Sequence, residues 1–141
     1  MDGLELREEI RHSGAVYFLQ TSLAGEGRQI QSSFFRDGAV FDTILRGLNG
    51  MASPEGIKDL TKAFHIQNKK RFQLLLDVRG KIRHSKDPAA HLKLARALSA
   101  RNLHSEAIAE AESAIEKGAR DSAPYIVVAE SLYKMENYDG A

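Results

Sequence analysis

Cysteine is absent from this 141-residue chain. Disulfides, thiolate metal sites and cysteine nucleophiles are therefore excluded, and a reducing compartment fits best. Proline is scarce: Pro54, Pro88 and Pro124 are all there is. No apolar run approaches the roughly 20 residues that a membrane-spanning helix needs. Residues 1–12 are charged and lack the apolar stretch of a signal peptide. A cytoplasmic protein is expected. Hydrophobic residues make up 43% of the chain, close to the globular norm, which argues against wholesale disorder.

Excess charge of one sign is also lacking, with a formal net charge of +1. That balance conceals an asymmetry. Residues 58–86 carry Lys58, Lys62, Lys69, Lys70, Arg71, Arg79, Lys81, Arg83 and Lys86 against only Asp59 and Asp77. Residues 105–141 reverse this, with eight acidic side chains against three basic. The basic middle can attract an anionic partner, or pair with the acidic end of its own chain.

The pattern predicts a short helix over residues 2–12. Asp2 would cap it, Leu4, Leu6 and Ile10 would form a thin apolar stripe, and Ser13-Gly14 would end it. Residues 15–21, 29–36 and 39–45 are rich in β-branched and aromatic side chains. Turn signals separate them at residues 23–27 and at Asp37-Gly38, whose residues both tolerate positive φ. A three-stranded antiparallel β-meander is expected, within a small domain of residues 1–50. Such a sheet is marginal in water unless a helix covers its apolar face. The candidates are the N-terminal segment and the region after residue 53.

Ser53-Pro54 joins a capping hydroxyl to a proline at the first helical position, where its missing N–H costs nothing. Asp87-Pro88 repeats that device 34 positions later, and Asp121 or Ser122 with Pro124 repeats it again. Residues 88–107 and 122–141 are two copies of one pattern at the same offset. Ala89, Ala95, Leu98 and Ala107 recur as Ala123, Ala129, Leu132 and Ala141. Leu94 recurs as Val128, His91 as Tyr125 and His104 as Tyr138. Small residues fixed at this period mark a stacked helical-hairpin repeat. The units are a divergent hairpin over 54–87, a full one over 88–121 and a truncated one over 122–141. The first has its second helix near 69–84. The second has helices near 88–101 and 105–117, with Gly118 as a cap. The third has one helix and a turn over 135–141. A piece of a longer array is expected.

These units resemble tetratricopeptide repeats. The match runs through His91, Leu94, Ala95, Leu98, Ala107 and Ala114, then through Tyr125, Val128, Ala129, Leu132, Tyr138 and Ala141. Departures are Ala111 at a bulky place, Ala119 at the closing proline and Gln73 at the second-helix alanine of 54–87. Nothing in residues 1–53 matches that family; for residues 54–141 the resemblance implies a right-handed stack of helical hairpins, which with the β-meander makes an α+β chain. It also implies a concave groove lined by the first helix of each hairpin. The groove residues would be Ala89, Leu92, Lys93, Arg96, Ser99 and Ala100, then Ala123, Ile126, Val127, Glu130, Tyr133 and Lys134. A non-catalytic adaptor that holds a segment of a partner protein follows. Chaperone-binding members of the family clamp a C-terminal carboxylate with a lysine and asparagines. Lys93, Arg96, Val127 and Glu130 fill the asparagine places here, so that clamp is absent. Lys93 and Arg96 lie about a turn apart on one face and suit an acidic peptide. Ile126 and Val127 offer an apolar shelf.

Site chemistry is sparse. His12, His65, His84, His91 and His104 show no metal-ligand spacing, so no metal or cofactor is expected. His91 and His104 sit at places that are usually aromatic and read as core. Gly25-Glu26-Gly27 reads as a plain turn, and Glu110, Glu112 and Glu116 as a solvated face. No nucleophile elbow is present. Two rivals remain. One is a docking arm of an enzyme whose catalytic part lies elsewhere. The other is binding of nucleic acid or acidic lipid through residues 58–86, which is weakened because Phe72, Leu75, Leu76 and Ile82 form a core stripe. Self-association through the truncated repeat is a further expectation.

Overall fold

The computed structural model describes residues 4–50 and 53–139, with side chains up to Glu136. The elements are β1 (Leu6–His12), β2 (Ala15–Ala24), β3 (Gln29–Arg36), β4 (Ala39–Gly47), α1 (Pro54–Ile82), α2 (Pro88–Ala100), α3 (His104–Glu116) and α4 (Ala123–Asp139). The chain divides into two compact units, Met1–Leu74 and Leu75–Ala141. The class is α+β.

The first unit carries a four-stranded antiparallel sheet in the order β1-β2-β3-β4, not the three-stranded meander expected. The extra strand is the segment read as a helix. Leu6, Glu8, Ile10 and His12 are the less exposed residues, while Arg7, Glu9 and Arg11 are exposed. That is the period-two alternation of a strand. Leu4, Leu6 and Ile10 are all even-numbered, so they fit a strand face as well as a helical stripe. Ser13 and Gly14 do not end a helix. Their φ angles of 48° and 84° make a two-residue turn that pairs His12 with Ala15. The expected cap Asp2 lies outside the described residues. Asp37 and Gly38, at 53° and 80°, turn β3 into β4 as expected.

The cover over this sheet is α1, the later of the two candidates. Ser53 Oγ accepts the Gly56 N–H at 3.3 Å, and Pro54 follows it. Phe64 packs with Ile30 and Leu48, flanked by Leu23, Ile44, Ile57 and Leu60. Phe72 stacks 4.7 Å from the Phe34 ring and 5.0 Å from Tyr17. Contrary to the hairpin expected over 54–87, α1 runs unbroken for 29 residues. Neither Gly nor Pro occurs between Ile57 and Arg79, so nothing interrupts the helix where a turn was required. Asn68, at the expected break, is buried and donates to Ser32 Oγ at 3.0 Å.

In the second unit Asp87 caps α2 by accepting the Ala89 N–H at 3.0 Å. A short link through Asn102, with φ 62°, leads to α3 and makes the pair an antiparallel hairpin. Ala95 and Leu98 on α2 and Ala107, Ala111 and Ala114 on α3 are fully buried. The small alanines let the helices approach closely, and a larger side chain in their place would force them apart. α4 packs on α3 and also meets α2. It continues through Asp139 instead of turning over 135–141, since no Gly or Pro appears before Gly140. Ala141 and the Tyr138 side chain lie outside the described residues. Among those residues no helix is long and apolar enough to cross a membrane.

Candidate partner-binding cleft

A cleft of about 510 Å³ lies between α2 and α4. Arg96, Ser99 and Ala100 line one side. Ala123, Ile126, Val127, Glu130 and Lys134 line the other, with Asp121 and Ser122 at the start of α4. The spacing explains this lining, because residues three and four apart share a helix face. Ser99 Oγ stands 3.5 Å from Ser131 Oγ and bridges the two walls.

Eight of the residues expected in the groove meet here: Arg96, Ser99, Ala100, Ala123, Ile126, Val127, Glu130 and Lys134. Ala89, Leu92, Lys93 and Tyr133 do not line the cleft. Leu92 and Lys93 stand one turn earlier on the α2 face. Tyr133 is exposed at the edge of the α4 face. Val127 is buried and serves as floor more than as shelf. The expected Lys93–Arg96 pair is therefore split. Arg96 and Lys134 are the cations of the cleft, and Asp121 and Glu130 its anions. Asp121 and Ser122 were missed because they precede the helix that set the register.

Behind the hairpin lies a charged knot. Glu110, read from sequence as solvated, is 7% exposed. Its carboxylate accepts from Arg79 Nε at 3.3 Å and from His91 Nδ1 at 3.0 Å. The other His91 nitrogen, Nε2, donates to the Ser85 carbonyl at 2.7 Å. Both ring nitrogens face acceptors, so the imidazolium satisfies the site best. Burial opposes that charge and is the largest influence. The Glu110 bond, the Ser85 carbonyl and the Glu110 charge together outweigh it and raise His91 above its ordinary 6.5. The knot fastens the end of α1, the start of α2 and the middle of α3.

His104 is the opposite case. It is buried, and among the described residues neither ring nitrogen has a hydrogen-bond partner. Burial, then the Lys134 charge, lowers its pKa, with Glu106 opposing. The ring is a neutral filler in a place that suits a hydrocarbon. His104→Phe is expected to raise stability by about 1 kcal/mol, since it removes unpaired buried polar atoms. Chemical denaturation checks this, and a lowered midpoint would contradict it.

The first unit hides a polar chain that the sequence did not suggest. Asn68 Nδ2 donates to Ser32 Oγ, which lies 2.7 Å from Thr21 Oγ1. His65 Nδ1 is 2.7 Å from Thr21 Oγ1, and His65 Nε2 is 2.7 Å from Glu8 Oε1. Lys69 closes the chain by donating to Glu8. Each donor has an acceptor if the hydroxyls point from Ser32 to Thr21 to His65 Nδ1. Lys69 holds the Glu8 carboxyl below its usual range, with burial opposing and His65 assisting. Carboxylate, imidazole and hydroxyl in this order match the layout of an activated nucleophile. Thr21 and Ser32 are 0% exposed, however, so no substrate can meet either hydroxyl. The chain locks α1 onto the sheet.

Among the described residues no group of three or more His, Asp or Glu side chains is placed to hold a metal ion. Comparison with protein-family models, with curated proteins and with solved structures finds no match.

Proposed function

We propose that the protein is a non-catalytic interaction module. Its second unit acts as a tetratricopeptide-like stack that holds a partner's peptide segment in the cleft between α2 and α4. The observation that carries this reading is the convergence of Arg96, Ile126, Val127, Glu130 and Lys134 on one cleft. Repeat register alone points to the same five residues. A peptide-sized, open trough with apolar floor and polar rim suits an extended segment. The lining has two cations and two anions, so the segment carries a carboxylate for Arg96 or Lys134 and a cation for Asp121 or Glu130.

The test is selection of short peptides from a displayed library against the full chain, followed by affinity measurement. Arg96→Glu with Lys134→Glu is expected to weaken the selected peptides by about tenfold or more, since charge-assisted bonds are lost. Both side chains are on the rim, and circular dichroism is expected to be unchanged. Selected peptides that bind the double variant as tightly as the parent would remove the cleft from consideration.

A further inference from the structure

An open sheet leaves two edge strands whose outward backbone N–H and C=O groups can pair with another strand. Here they are β1 and β4, at the ends of the order β1-β2-β3-β4. The sequence treats the two differently. β1 carries Arg7, Glu8, Glu9 and Arg11, the kind of charge that keeps an edge from meeting another strand. β4 carries only Asp42 and Arg46 and contains neither lysine nor proline. Val40 and Leu45, both more than half exposed, also sit on it.

The pattern along β4 complements itself. Asp42, Ile44 and Arg46 stand opposite Phe34, Ser32 and Ile30 of β3, all buried under α1, so the three share one face of the sheet. Thr43 and Leu45 take the other face. The register shift between Phe34 and Phe35 falls N-terminal to Asp42 on β4 and leaves residues 42–46 regular. Two copies of such a strand can pair antiparallel about a two-fold axis. With the axis at Ile44, Asp42 of each copy lies opposite Arg46 of the other, and Thr43 lies opposite Leu45. With the axis at Asp42 or Arg46, like charges would oppose each other. With it at Thr43 or Leu45, a charge would face Ile44. A single register therefore sets every charge of the strand against its opposite. Asp42 already has an interaction within its own chain, and a carboxylate has about four acceptor sites, enough for a second partner.

We propose that β4 is a self-association edge. Two copies of the chain join antiparallel through residues 42–46, with the two-fold axis at Ile44 and two Asp42–Arg46 ion pairs. Growth stops at the dimer, because both β4 edges are then used and the charged β1 strands remain outside. The edge belongs to the first unit, and none of its residues lines the cleft.

Sedimentation velocity of the full chain, diluted from about 1 mM, where even a weak complex is well populated, is expected to show a reversible monomer–dimer equilibrium. Asp42→Arg sets arginine against arginine, and Arg46→Asp sets aspartate against aspartate. Each alone is expected to weaken the dimer at least about tenfold. Mixing the two variants sets opposite charges together at both positions, so the dimer is expected to return. A strand from a different protein would give no such recovery. A parent chain that stays monomeric throughout would overturn the proposal. So would single variants that dimerise like the parent, or a mixture no more dimeric than its components. Should either variant lose the parent's circular dichroism, a thiol decides instead. The chain has no cysteine, and Ile44→Cys would place two thiols opposite each other at the axis, within reach of a disulfide. Oxidised glutathione is expected to cross-link it at least about tenfold faster than Val40→Cys, and equal rates would overturn the proposal.

Discussion

Glu110→Ala is expected to cost about 3 kcal/mol, the scale of a buried ion pair that loses one partner. The substitution strands His91, whose Nδ1 is buried with Glu110 as its acceptor. It also releases Arg79 from α3. Glu110→Gln keeps the shape and removes the charge, so it isolates the electrostatic part. The pH dependence has a definite sign. His91 titrates above its ordinary 6.5 in the folded protein. Its contribution is therefore fully present below 6.5 and is lost as pH rises through the raised value. The stability gap between parent and Glu110→Gln is expected to shrink as pH is raised through that window. Denaturant titrations at several pH values measure it, and a gap that widens with pH would contradict the charged knot.

Phe72→Ala is expected to cost about 4 kcal/mol, as for a large ring removed from a closed core. Phe72 is fully buried, and its ring meets Tyr17, Phe34 and Phe41. Little can collapse into the space, because those neighbours are held by the sheet register. Leu74 is two residues along and 62% exposed. Leu74→Ala is accordingly expected to change stability by no more than about 0.5 kcal/mol. Equilibrium denaturation of both variants decides whether α1 covers the sheet with the face assigned. Equal losses would mean that it does not.

The parts legible in the sequence are those set by local chemistry. Asp37-Gly38 specifies a two-residue turn because both residues must take positive φ. Asp87-Pro88 starts α2 because a carboxylate can cap it and proline needs no acceptor there. Ala95 and Ala107 betray the hairpin because close helices admit little else. β1 was misread because Leu4, Leu6 and Ile10 satisfy two periodicities at once. The unbroken α1 was misread because a repeat offset was extended over residues that contain no breaker. Glu110 looks solvated in the sequence because its partners, His91 and Arg79, come from other helices. Glu8 and His65 are 57 positions apart, so no local spacing could join them. The cleft was half legible. Repeat register placed the residues of its walls, but how far α4 overlaps α2 depends on packing, and Leu92 and Lys93 fell outside that overlap.

If a partner segment binds in the cleft between α2 and α4, as proposed, the backbone amides that line the cleft respond to it. Amide chemical shifts of the isotope-labelled chain, titrated with a peptide selected against it, test this directly. The expected result is a set of shift changes at Arg96, Ser99, Ala100, Ile126, Val127 and Glu130, with β1 to β4 undisturbed. Changes confined to the sheet of the first unit, with those amides unmoved at saturation, would contradict it.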